Sequence, residues 1–221
     1  MKYDVIIIGA GPAGIFTALE MIKNKSNKKI VIIEKGCSIS KRRCPKTTTK
    51  KCVNCKPYCH ITTGFSGAGA FSDGKLSLSA EVGGDLPSLI GVDVAEETIK
   101  YADDIYLEFG ADTKVEGVNV GEKVKEIRKN AIKSGLKLVD CPIRHLGTEA
   151  AQEIYLKIEN FLLENGVEIR FDTICKDIIV EDSTCKGVIL ASSRKQDEME
   201  TLEADEIVIA TGRKGADWLE K

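Results

Sequence analysis

Gly9, Gly11 and Gly14, within Gly9-Ala10-Gly11-Pro12-Ala13-Gly14, form a GxGxxG turn that follows a β-branched run and precedes a helical pattern. In that setting each glycine has a job. Gly9 permits a tight turn, Gly11 lets the backbone approach a pyrophosphate, and Gly14 lets helix and strand pack closely. The helix N-terminus, with Pro12 and Ala13 in its first turn, then offers free N–H groups and a positive dipole end to the phosphates. Glu34 lies 20 residues past Gly14, at the end of a second apolar run and beside Lys35. An acid there accepts hydrogen bonds from ribose hydroxyls and disfavours a 2′-phosphate. The chemistry implied is capture of a dinucleotide other than NADP, with FAD and NAD both open.

A second constellation is made of sulfur. Cys44, Cys52, Cys55 and Cys59 fall within 16 residues, with His60 directly after and Cys37 before. Thiolates three residues apart, as at Cys52 and Cys55, can grip one tetrahedral zinc or belong to an iron–sulfur cluster. A redox dithiol that exchanges electrons with a flavin, or thiols with no shared role, are the alternatives. The spacing is neither a ferredoxin pattern nor a paired zinc-ribbon pattern. Between Gly36 and Ser72 there is no Asp or Glu, while Lys35, Lys41, Arg42, Arg43, Lys46, Lys50, Lys51 and Lys56 lie in or beside this stretch. Such a concentration of positive charge suits phosphates or thiolates. Nucleic acid is a poorer fit, because aromatic residues make up only 5% of the chain and Tyr58 alone interleaves with the bases.

Two further groups stand out. Gly67, Ala68, Gly69 and Ala70 are four small residues in a row that can bring backbone N–H groups close to a flat or anionic ligand, with Lys75 adding a point charge. His145, before a helix start at Thr148, is either a proton donor or a hydrogen-bonded structural residue, and no catalytic residue is assigned. Cys141, Cys175 and Cys185 read as small buried apolar residues.

Elements able to position these groups follow from periodicity. Tyr3–Ile8 and Ile30–Ile33 are strands of a parallel sheet, joined by a helix with Ile15, Ala18, Leu19 and Ile22 on one face. Lys35–Gly84 has no sustained period, and so long a loop in a compact domain is expected to be functional. Helices are predicted over Val94–Phe109, Glu122–Lys133 and Thr148–Asn165, the last stopped by Gly166. Val167–Phe171 is a strand. Lys176–Val180, Gly187–Ala191 and Glu200–Glu203 form an antiparallel meander, and Asp205–Ala210 is a final strand. The fold expected is α/β with a parallel sheet and a small meander.

The 221 residues, 43% apolar and 30% charged with net charge −2, describe a globular domain with a sizeable core. No apolar run approaches a membrane span, and Met1-Lys2-Tyr3-Asp4 does not begin an export signal. The expectation is a cytoplasmic protein with reduced thiols.

Ile207-Val208-Ile209-Ala210-Thr211-Gly212-Arg213 resembles the strand and ATG signature of two-dinucleotide-domain flavoproteins, the glutathione-reductase-like superfamily. Three segments also resemble a microbial group of FAD-dependent dehydrogenases: Gly64–Leu76, Pro142–Thr148 and Gly212–Leu219. The resemblance covers essentially the whole chain. It implies a Rossmann-like FAD-binding domain over 1–221, with a Cys-rich basic insertion at about 36–62 and non-covalent FAD carrying electrons. It places Thr211 and Gly212 near the flavin and the Cys175 backbone at the adenine edge. Members of that group are markedly longer, so this chain is expected to be a fragment, one product of a split gene or a truncated form. It would then need a missing C-terminal half or a partner chain to complete the site over the flavin. The substrate or electron donor is a small molecule of unknown identity.

Overall fold

The computed structural model describes residues 2–72, 74–118, 121–195 and 197–220. Asp73, in the loop that carries the resemblance, lies outside the described residues. The chain divides into two compact units: residues 1–71 with 155–221, and residues 72–154.

The first unit begins with the expected βαβ. Strand β1 (Lys2–Ile8) leads through the glycine turn into helix α1 (Pro12–Lys23), and strand β2 (Ile30–Ile33) follows. One short helix, α2 (Lys46–Thr49), interrupts the basic cysteine-rich segment and buries no residue. In the second unit, strand β3 (Lys75–Ser77) is followed by helices α3 (Leu86–Ile90), α4 (Val92–Glu108) and α5 (Glu122–Lys133), then strand β4 (Ile143–His145). Helix α6 (Thr148–Glu164) leads back into the first unit. There strands β5 (Glu168–Arg170), β6 (Thr173–Glu181), β7 (Thr184–Ser192) and β8 (Met199–Ile209) precede the short helix α7 (Ala216–Leu219).

The main sheet has six strands in the order β5-β2-β1-β8-β7-β6. Its first four neighbours run parallel, and β8-β7-β6 are antiparallel. The meander is therefore continuous with the parallel sheet. Glu200–Glu203 and Asp205–Ala210, expected as two strands, form one strand of 11 residues. Glu203 and Asp205, which look like an interruption, alternate with buried Leu202 and Ala204, so the strand continues through them. The N-terminal part of β8 pairs antiparallel with β7 and the rest pairs parallel with β1.

One face of the sheet carries Ile6, Ile8, Val31, Ile33, Val188 and Leu190 as a contiguous core. Alternation sends the fully buried Ile7 and Ile32 to the other face. Helix α1 packs on that side at very short range. A Cβ on Gly14 would lie 2.0 Å from Gly9 O and 3.1 Å from Ile7 Cγ2. Only a residue without a side chain allows the helix to start so close to the strand.

In the second unit β3 and β4 pair antiparallel, with Lys75 opposite His145. Arg144 of β4 is 4% exposed and makes a bidentate ion pair with Asp103 of α4, at 2.5 and 2.7 Å. This buried pair belongs to the unit's own core. His145 beside it is exposed.

Candidate functional site

Glu34 ends β2 with only 6% of its surface exposed. Its Oε2 accepts the Ala10 amide at 3.0 Å, and Oε1 accepts the amides of Gly36 at 2.8 Å and Gly64 at 3.1 Å. Those three donors come from the fingerprint turn, the segment after β2 and the far end of the long loop. The carboxylate is thus a junction for three backbone segments. The Ser66 amide adds a bond to Ala10 O at 2.7 Å, and the Phe65 amide one to Cys37 O at 3.1 Å. A carboxylate has about four lone-pair sites. With three filled by protein, about one remains for a ligand hydroxyl.

Arg42 makes the same region rigid from another side. It is 3% exposed, and its guanidinium donates to the carbonyls of His60, Ile61 and Phe65 at 2.9, 2.7 and 2.6 Å. Its Cζ lies 4.5 Å from the centre of the Phe71 ring. Burial pulls the guanidinium below its usual pKa range, partly offset by the charge of Glu34. Arg42 therefore serves the loop itself and is not available to an anionic partner, as its place in the basic stretch suggests. Lys41, Arg43, Lys46, Lys50, Lys51 and Lys56 are exposed.

Two cavities lie at the C-terminal ends of β1 and β2. The larger, ≈ 810 Å³, is bordered by Gly9, Gly11, Pro12, Ala13, Glu34, Lys35, Gly67, Ala68, Thr211 and Gly212, all of which the sequence singles out. Gly64 and Arg213, from two of the segments that carry the resemblance, also border it, and so do Thr62 and Thr63, which were not foreseen. The smaller, ≈ 240 Å³, shares Gly9, Glu34, Lys35 and Thr211 with it, and adds Thr173, Ile174, Cys175 and Trp218. The Cys175 thiol donates to Asp177 O at 3.4 Å, and burial pushes its pKa up to about 11.

Three expected residues fall outside these walls. Gly14 packs helix on strand. Gly69 faces Tyr155, whose hydroxyl would lie 3.0 Å from a Cβ at that position, so its small size serves packing. Lys75 sits exposed on β3 in the second unit and borders neither cavity.

The four cysteines do converge. Cys44, Cys52, Cys55 and Cys59 line one small cavity of ≈ 60 Å³ together with His60. Yet among the described residues no three His, Cys, Asp or Glu groups form a set that could hold a metal ion. None of the eight cysteines is in a disulfide, and Cys52 and Cys59 are exposed. The zinc or iron–sulfur expectation thus finds no support in the geometry. The thiols are neighbours around a gap rather than ligands aimed at one point.

The site does fit a dinucleotide. A Cβ on Gly11 would meet nothing within 4 Å, so the mouth at the start of α1 is open. On Gly67 it would have Gly11 Cα as its nearest neighbour, at 3.8 Å, so both glycines border the same gap. Helix α1 has no acid in its first turn and presents its N-terminus to this opening.

A Rossmann-like α/β sheet with a glycine turn, a strand-end acid and cavities at the carboxyl ends of its strands defines a dinucleotide-binding domain. The family comparison makes this specific. Residues 3–216 match the pyridine nucleotide-disulphide oxidoreductase family, and the chain belongs to that family. It is an FAD-binding oxidoreductase domain. An uncharacterized protein of Clostridium beijerinckii is 25% identical over 204 residues, which make up 90% of this chain and 33% of the relative. The chain thus spans about a third of the length of that curated relative.

Solved structures agree on the fold. Glycine oxidase from Bacillus cereus superposes with a TM-score of 0.55 at 17% identity, covering 99% of this chain and 59% of its own. A 3-ketosteroid-Δ4-(5α)-dehydrogenase from Rhodococcus jostii gives 0.56 at 12% identity, covering 94% of this chain and 45% of its own. THI4 of Thermovibrio ammonificans gives 0.52 at 12% identity, covering 97% and 59%. Among the described residues no helix is long and apolar enough to cross a membrane.

Proposed function

We propose that this chain holds FAD non-covalently across the two joined cavities and passes electrons through it. The observation that carries this is the meeting of Gly11, Gly67 and Glu34 at one opening above the start of α1. The amides of the first α1 turn receive the pyrophosphate, where the helix dipole favours an anion. Glu34 uses its remaining lone pair for a ribose hydroxyl, and the backbone at Cys175 meets the adenine. Gly67, Ala68, Thr211 and Gly212 lie toward the flavin end, and Lys35 adds positive charge where the cavities join. Bound FAD supplies the electron-transfer chemistry, and the chain binds and orients it.

The domain runs over residues 1–221, with its basic Cys-rich insertion at about 36–62 and residues 72–154 as a compact unit within it. The substrate or electron donor is a small molecule, without nucleic acid or membrane as a partner. Eight cysteines outside disulfides suit a reducing cytoplasm. A second reading, an FAD-binding part that needs a partner chain or a C-terminal half to be active, is favoured by the share of the curated relative that the chain spans. A visible spectrum and an FAD titration of the purified 221-residue chain test binding, and reduction of bound flavin by added dithionite followed by a dye acceptor tests electron passage. Paired flavin bands with saturable binding support the proposal. A colourless chain that ignores FAD overturns it. Binding without turnover on any small-molecule donor favours the second reading.

A further inference from the structure

Trp218 is the only tryptophan in the chain, and neither the fingerprint nor the strand-end acid accounts for it. Two features fix its place. The turn after β8 requires Gly212 at φ +62°, a conformation strained for residues with a side chain. It also requires Gly215, where a Cβ would lie 2.0 Å from Thr211 Oγ1. The Gly215 amide closes this turn on Gly212 O at 2.9 Å. The indole Nε1 then donates to Lys176 O of β6 at 3.0 Å, and the ring, like Cys175, Ile178 and Ile207, packs against the sheet's core from its margin.

Held this way, the half-buried indole forms one wall of the ≈ 240 Å³ cavity whose other borders include Glu34, Thr173 and Cys175. Tryptophan is rarely buried on all sides even in a core, so what matters is where its open surface lies. This one keeps surface on a cavity, with its single donor already spent on Lys176. What it can offer a ligand is its flat aromatic face. The matching chemistry is a purine ring, which stacks on aromatic side chains whatever its edge substituents.

We infer that Trp218 is the adenine wall of the cofactor site: its indole stacks on the purine of an adenosine nucleotide and draws the adenosine half of the cofactor into the smaller cavity. This rests on the FAD proposal above. The ring is oriented by its Lys176 bond and the Gly212–Gly215 turn before any ligand arrives, so little side-chain freedom is lost on binding.

The sole tryptophan is its own reporter. ADP, which carries the adenosine half and no flavin, should quench the fluorescence of Trp218 saturably, and ribose 5-phosphate, which lacks the purine, should not. Trp218→Ala should weaken FAD binding by about tenfold, and Trp218→Phe should keep it within about threefold. Circular dichroism checks that both variants fold. If Trp218→Ala does not fold, the ADP and ribose 5-phosphate titrations of the native chain and the Trp218→Phe affinity decide. Tight FAD binding with no ADP quench and no loss in Trp218→Ala overturns the inference and leaves the FAD proposal standing. Quenching by ribose 5-phosphate equal to that by ADP also overturns it, because the purine would then play no part in the contact. Absence of any FAD or ADP binding overturns the FAD proposal itself, and this inference with it.

Discussion

Replacing Glu34 separates its hold on three backbone segments from its proposed contact with the ribose. In Glu34→Ala the amides of Ala10, Gly36 and Gly64 lose their acceptor, and all three bonds are buried. A buried donor left unsatisfied costs about 1–3 kcal/mol. The three together reach about 3–9 kcal/mol, against a total stability of about 5–15 kcal/mol for a domain. Glu34→Ala should therefore be severely destabilised or unfolded even without cofactor. Glu34→Gln is the finer probe. Its amide oxygen can still accept from Gly36 and Gly64, while its NH2 group meets the Ala10 N–H donor to donor. That variant loses one bond in three and should cost about 1–3 kcal/mol. The assay is urea unfolding of cofactor-free protein followed by circular dichroism, with equal m-values required so that midpoints report stability. A loss under about 1 kcal/mol in Glu34→Ala would refute the junction role. It would leave Glu34 a ligand residue alone.

Gly11→Ala and Gly14→Ala should behave in opposite ways. At Gly11 a methyl meets no protein atom within 4 Å, so melting temperature should hold while flavin retention falls; at Gly14 it would sit 2.0 Å from Gly9 O, so the fold itself should lose stability. Thermal melts and the flavin absorbance of the purified variants check both. Cys175, with its thiol pKa raised by burial to about 11, should react with iodoacetamide at pH 8 at least about a hundredfold more slowly than exposed Cys52. Its rate should climb as pH rises toward 11, where the thiolate forms, and FAD should protect it. Peptide mass mapping over a pH series reads this, and fast labelling at pH 8 would contradict the burial.

Much of the fold was legible because its signals are local. Ile30–Ile33 and Glu122–Lys133 appear with the bounds that periodicity predicts, since apolar spacing alone decides them. The fingerprint turn carries its own geometry in three glycines. What local patterns could not supply is pairing. The union of Glu200–Glu203 with Asp205–Ala210 depends on β8 having β7 beside one part and β1 beside the other. The strands β3 and β4 are three residues each and about 65 residues apart in sequence, too short and too distant for a period to register.

The site divides along the same line. Residues that border the larger cavity, such as Gly11, Gly67 and Thr211, announce themselves by small size or by resemblance. Residues that build the site through one side chain do not. Arg42 sits among lysines that are exposed, and nothing in composition marks it as the one that turns inward to gather three carbonyls. Glu34 was legible as a strand-end acid, but its hold on Gly64 spans 30 residues of loop. That hold is possible because Gly36 and Gly64 touch so closely that a Cβ on Gly36 would lie 2.5 Å from Gly64 N. The long cysteine-rich segment is therefore closed at its base, and the carboxylate that closes it also borders both cavities. Folding of the loop and the proposed reception of the cofactor share one group. A loss of flavin in any Glu34 variant reports on the ribose contact only when the cofactor-free protein has first been shown to keep its loop in place.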